Sequence, residues 1–150
     1  MKRFVTMILA ALALILQAGA GLAGEFGTAQ EARALLDRAV AALKADKDAA
    51  IAKFNQADGG YRDRDLYVFC AAADGTTVAH ANPKQVGMNL RELKDKSGKP
   101  FGAEMFKVAQ AGKVKKVSYM WPKPGSDKPV QKVSYVTRVA DDVCGVGYYK

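Results

Sequence analysis

The sequence predicts an α+β domain. Three observations carry that reading: an amphipathic helical stretch after Thr28, a strand-turn-strand unit around Asp74-Gly75, and three strand-like segments between Val114 and Tyr149. Strands and helices fall in separate blocks, and there is no repeat and no low-complexity tract.

Ahead of this domain, Lys2 and Arg3 precede an uncharged apolar run from Phe4 to Leu16. The small residues Ala18, Gly19, Ala20, Gly21 and Ala23 follow. A basic start, a short apolar core and a small-residue exit describe a secretory signal peptide over residues 1–23, with cleavage after Ala20 or Ala23. The alternative is an uncleaved anchor helix, although Phe4–Leu16 is shorter than the ~20 apolar residues a bilayer crossing needs. Residues 24–150 then form one domain of ordinary size. The expected location is secreted, in the periplasm.

The first element of the domain opens on Thr28-Ala29-Gln30-Glu31, a capping box in which Thr28 and Glu31 satisfy each other's backbone amides. Ala32, Leu35, Leu36, Ala39, Val40 and Leu43 keep the three/four spacing of a helix to about Ala45. Lys47 to Asn55 reads as a second short helix, ended by Asp58-Gly59-Gly60. Leu66–Ala72 is rich in strand formers. Asp74-Gly75 signals a two-residue hairpin turn with positive φ at both central positions. The second strand breaks at His80-Ala81-Asn82-Pro83.

Val86–Leu90 is a loop or short helical turn, with Leu90 and Leu93 plugging a core edge. Ser97-Gly98-Lys99-Pro100 leads a helix whose buried face is Phe101, Met105, Val108 and Ala109, with Gly112 as its left-handed cap. Val114–Trp121, Val130–Val139 and Val143–Tyr149 complete about five antiparallel strands.

The formal net charge is +8, and loss of Lys2 and Arg3 with the leader lowers it by two. Outside the cytoplasm such a balance favours small anions, acidic partners or anionic surfaces over nucleic acid. Lys113, Lys115 and Lys116 alternate with Val114 and Val117, as on the edge of a half-buried strand. Cys70 and Cys144 are the only cysteines. In an exported protein they read as one disulfide joining the first and last of the five strands, worth roughly 4 kcal/mol by the chain-entropy model. Two separate buried thiols are the alternative. A single histidine rules out a Cys/His metal site, and no nucleophile elbow, phosphate loop or paired carboxylates stand out. The chain is therefore not expected to be an enzyme, and no cofactor is implied.

A family resemblance is carried by short pieces in order: Asp74-Gly75 between strands, His80-Ala81-Asn82-Pro83, Val86-Gly87-x-Asn89-Leu90, Gly98-Lys99-Pro100-Phe101, Tyr119-x-Trp121-Pro122, Lys132-x-Ser134-Tyr135 and Gly145-x-Gly147-Tyr148. Together they resemble the single Cache domain, type 2, over nearly all of residues 24–150. The resemblance implies a PAS-like five-stranded antiparallel sheet with a long N-terminal helix, short helices between strands two and three, and a ligand pocket on one face. It also implies an extracytoplasmic sensor of small organic molecules, often short carboxylates, serving chemotaxis or histidine-kinase signal transduction. Unlike most members the sequence shows a leader, a cysteine pair and no output domain. The expectation is a solo member that acts with a separate membrane receptor or histidine kinase. The second reading is an interaction module that does not bind ligand and docks or homodimerises through the N-terminal helix.

Candidate ligand contacts follow from strand alternation. Tyr119 and Trp121 share a strand face and offer an apolar wall with a hydroxyl and an indole donor, or else are plain core. Lys132 and Tyr135 are three apart, so a regular strand turns them to opposite faces and only one lines the pocket. Lys132 is the better anion partner. His80 is a ligand contact or a surface or satisfied core residue, and Met88, Met105 and Phe106 are further apolar candidates.

Overall fold

The computed structural model describes residues 24–150; the leader reading of residues 1–23 lies outside them. Helix α1, Ala29–Ala45, starts on the expected capping box: the Thr28 hydroxyl accepts the Glu31 amide at 3.2 Å and the Glu31 carboxylate accepts the Thr28 amide at 2.7 Å. Its stripe of Ala32, Leu35, Leu36, Ala39 and Leu43 is buried. Asp46 ends α1 and caps α2, Lys47–Asn55, by accepting the Ala49 amide at 3.0 Å.

Six strands follow: β1 Arg62–Asp63, β2 Leu66–Ala71, β3 Thr77–Ala79, β4 Lys115–Pro122, β5 Pro129–Val139 and β6 Asp142–Tyr149. All pairings are antiparallel, in the order β1-β2-β6-β5-β4, with β3 also paired to β2. The five expected strands are all present. Strand β1 is additional, and its two polar residues carry no alternation from which a strand could be read. Between β3 and β4 lie two short 3-10 turns, Pro83–Gln85 and Leu90–Glu92, and helix α3, Phe101–Val108. Asn55 at the end of α2 covers the β3 edge, donating to the Val78 carbonyl at 2.9 Å and accepting from the His80 amide at 3.1 Å.

Two local expectations are corrected. In the β2–β3 turn only Gly75 has positive φ, at 97°, while the Gly75 amide donates to the Ala72 carbonyl and the Ala72 amide to the Thr76 carbonyl. This is a three-residue loop with glycine in the left-handed position, not the two-residue form. Asp74 instead accepts the Thr76 amide at 2.8 Å. Helix α3 stops because Ala109 turns extended, so Gly112, with φ 72°, does not cap it. Gly112 serves the tighter turn from Gln110 to Lys113.

The sheet separates two cores. On one face α1 and α2 pack on Leu66, Val68, Cys70, Cys144 and Val146. On the other, Tyr67, Phe69, Ala71, Val117, Tyr119, Val136 and Val143 meet Phe101, Met105 and Phe106 of α3. Cys70 and Cys144 are directly opposite in the β2–β6 ladder and form a disulfide on the α1 face.

Candidate functional site

The α3 face of the sheet holds the candidate site. Strand alternation turns Tyr119 and Trp121 of β4 and Lys132 of β5 toward α3, and Tyr67 of β2 faces the same way. Phe101 of α3 stacks on Tyr119, with centroids 4.2 Å apart, and meets Trp121 edge-on at 5.4 Å. Tyr119 donates to or accepts from the Ser134 hydroxyl at 2.9 Å, and burial pushes its phenol up so that it stays protonated.

Between these rings and α3 lies an inner cavity of about 20 Å³, walled by Tyr67, Phe69, Leu90, Phe101, Met105 and Tyr119 among others. It opens into an outer cleft of about 550 Å³ under the β4–β5 loop. Tyr67, His80, Gln85 and Trp121 line both, and so form the neck between them.

Lys132 is the unusual group. It is only 1% exposed, and its stem crosses β6 over Gly147 to reach β2. There Nζ donates to the Tyr67 hydroxyl at 2.9 Å and sits 4.2 Å from the Tyr67 ring centre and 4.9 Å from that of Tyr149. No carboxylate among the described residues lies in ion-pair range of it. Buried cations are ordinarily paired, because removal from water costs several kcal/mol. Since the Tyr67 oxygen accepts from Lys132, its own proton is left to donate elsewhere.

His80, at the end of β3, packs against Tyr67 at 4.8 Å between ring centres. Its Nδ1 accepts the Asn82 amide at 2.9 Å. Burial, and then the Lys132 charge, hold its pKa down to about 4. The ring is therefore neutral at pH 7 with its proton on Nε2, a donor at the neck.

Of the residues expected from sequence, Tyr119, Trp121, His80 and Lys132 come together here. Tyr135 does not: it lies on the α1 face, 5.7 Å from Tyr148 and beneath the Lys116 ammonium. Met105 lines the inner cavity, Phe106 is core, and Met88 is exposed. Tyr67, Gln85 and the outer cations Arg62, Arg64 and Lys123 were not anticipated. Strand β2 is buried at all six positions, so it shows no alternation to single out Tyr67. Among the described residues no cluster of His, Cys, Asp or Glu is placed to hold a metal, and no helix is long and apolar enough to cross a membrane.

The family model for single Cache domain 2 matches residues 25–149. Methyl-accepting chemotaxis protein McpP of Pseudomonas putida is 35% identical over 75 residues, which is 49% of this chain and 14% of that receptor. The chain thus spans a small part of the curated relative it matches. The crystal structure of a methyl-accepting chemotaxis protein from Vibrio parahaemolyticus superposes with TM-score 0.65 at 26% identity, covering 80% of this chain and 86% of that one. A periplasmic sensor domain of a chemotaxis protein gives 0.59 at 28% identity, covering 80% and 88%. A Cache chemosensory domain described for carboxylic acid recognition gives 0.58 at 26% identity, covering 80% and 86%.

Proposed function

The chain belongs to the single Cache domain 2 family, and from that premise we propose that it is an extracytoplasmic sensor of short carboxylates that acts with a membrane receptor or histidine kinase. The observation that carries this reading is Lys132. A buried ammonium lacks a protein carboxylate among the described residues, and it stands behind a neck that offers the Tyr67 hydroxyl and the His80 Nε2 proton. A carboxylate at the neck would accept from both donors and supply the missing charge. Tyr119, Trp121 and Phe101 close the apolar side, as small-molecule sites require. The inner cavity has room for little more than one water-sized group, so the favoured ligand is short. The chemotaxis relatives, one of them described for carboxylic acid recognition, support the same class. The disulfide fits an oxidising compartment.

Calorimetric titration with acetate, propionate and butyrate tests the reading. Binding is expected, and Lys132→Ala should weaken it at least about tenfold, the scale of one charge-assisted hydrogen bond. No binding across a broad panel of carboxylates would instead favour a docking module that has no ligand.

A further inference from the structure

The outer cleft carries charge of its own. Its lining includes Arg62, Arg64 and Lys123 against a single carboxylate, Asp127. Arg64 is already committed: its guanidinium pairs with Glu31 at 2.6 Å and Asp63 at 2.7 Å and donates to the Gly24 and Phe26 carbonyls. The other two cations are not. Arg62 donates through one terminal nitrogen to the Asn55 carbonyl at 2.8 Å, while its buried Nε has no acceptor among the described residues. Lys123 has no carboxylate in ion-pair range among them; its ammonium rests 3.4 Å from the Phe26 ring centre and 5.7 Å from that of Tyr149. A cation held only by rings at a half-exposed site is held more weakly than one that makes a charge-assisted hydrogen bond to a carboxylate. An arriving anion therefore outcompetes the rings. The neck leads directly here, and the inner cavity is too small to hold more than one end of a ligand.

We propose that the outer cleft is a second anion subsite, built on Arg62 and Lys123 with Asn82 and Ser126 beside them, so that the preferred ligands are short dicarboxylates. One carboxylate sits at the Tyr67–His80 neck before Lys132, and the other between Arg62 and Lys123. Asp127 sets a limit on the cleft, since it repels a second carboxylate that strays toward the loop tip. This inference rests on the carboxylate reading above and adds the requirement for a second charge.

The test compares ligands of equal carbon number by calorimetry on the protein at fixed ionic strength: propionate with malonate, butyrate with succinate, pentanoate with glutarate. At least one dicarboxylate should bind about tenfold more tightly than its partner. Lys123→Gln and Arg62→Gln should each remove most of that preference and leave the monocarboxylate affinity unchanged. Equal affinities within every pair, or variants that weaken both members alike, would overturn the second subsite while the carboxylate reading stands. Binding of no carboxylate at all would overturn both. The wild-type comparison needs no variant, so a poorly folding Arg62→Gln does not block the decision.

Discussion

At Gly147 an added Cβ would run into the Lys132 stem and come within 2.6 Å of the Ser134 hydroxyl oxygen. Neither neighbour has room to yield, since Lys132 and Ser134 are both buried. The glycine is thus the reason a β5 lysine can lie across β6 and place its ammonium on a β2 tyrosine. Gly147→Ala should push Nζ off the Tyr67 hydroxyl and weaken carboxylate binding about tenfold, at a stability cost of about 1–3 kcal/mol from overpacking. Titration of the single and double variants separates positioning from general damage. If Gly147 acts through Lys132, adding Gly147→Ala to Lys132→Ala costs no further affinity. An additive loss would mean that the glycine serves the cavity wall in some other way.

Among the elements, β2 and β6 are joined twice, by their ladder and by the disulfide between directly opposite residues 74 apart in sequence. Neither sulfur faces the cavity, because residues 70 and 144 point to α1. The bridge should therefore serve stability and not recognition. Replacing both cysteines by alanine is expected to lower unfolding free energy by about 4 kcal/mol in denaturant titration, with carboxylate affinity unchanged under native conditions. The elements themselves were largely legible in the sequence. The capping box at Thr28, the α1 stripe and the alternation in β4 and β5 each follow from local periodicity, which survives in one chain. What alternation could not give is which face lies over α3. It placed Lys132 and Tyr135 on opposite sides but could not say which one faced α3. Tyr67 was hidden because β2 is covered on both faces, and Arg62 and Lys123 because the cleft joins segments far apart in sequence.

For the molecule as a whole, the site should leave a mark on stability as a function of pH. His80 is held neutral, with its pKa down to about 4 against an ordinary 6.5, by burial and by the Lys132 charge. The folded protein thus refuses a proton that the unfolded chain accepts below pH 6.5. Stability from this group is complete above that pH and falls as pH drops toward 4. The change between pH 7.5 and 5 should be about 2 kcal/mol. Glu31 and Asp95 act in a lower window. Hydrogen bonds hold both carboxyls down to about 2, from the Thr28 amide and Arg64 for Glu31, and from Ser97 and the Met120 amide for Asp95. Their contribution is present above about pH 4.5 and is lost as pH falls through 2. Denaturant titrations at pH 7.5, 5, 4 and 2 on wild type and His80→Gln separate the windows. The variant should lose the step between pH 7.5 and 5 and keep the one below 4. An unchanged step in the variant would place the proton uptake elsewhere and remove the neutral imidazole from the neck. A carboxylate ligand should oppose the fall in wild type, because it binds only the folded state and introduces the negative charge that Lys132 lacks.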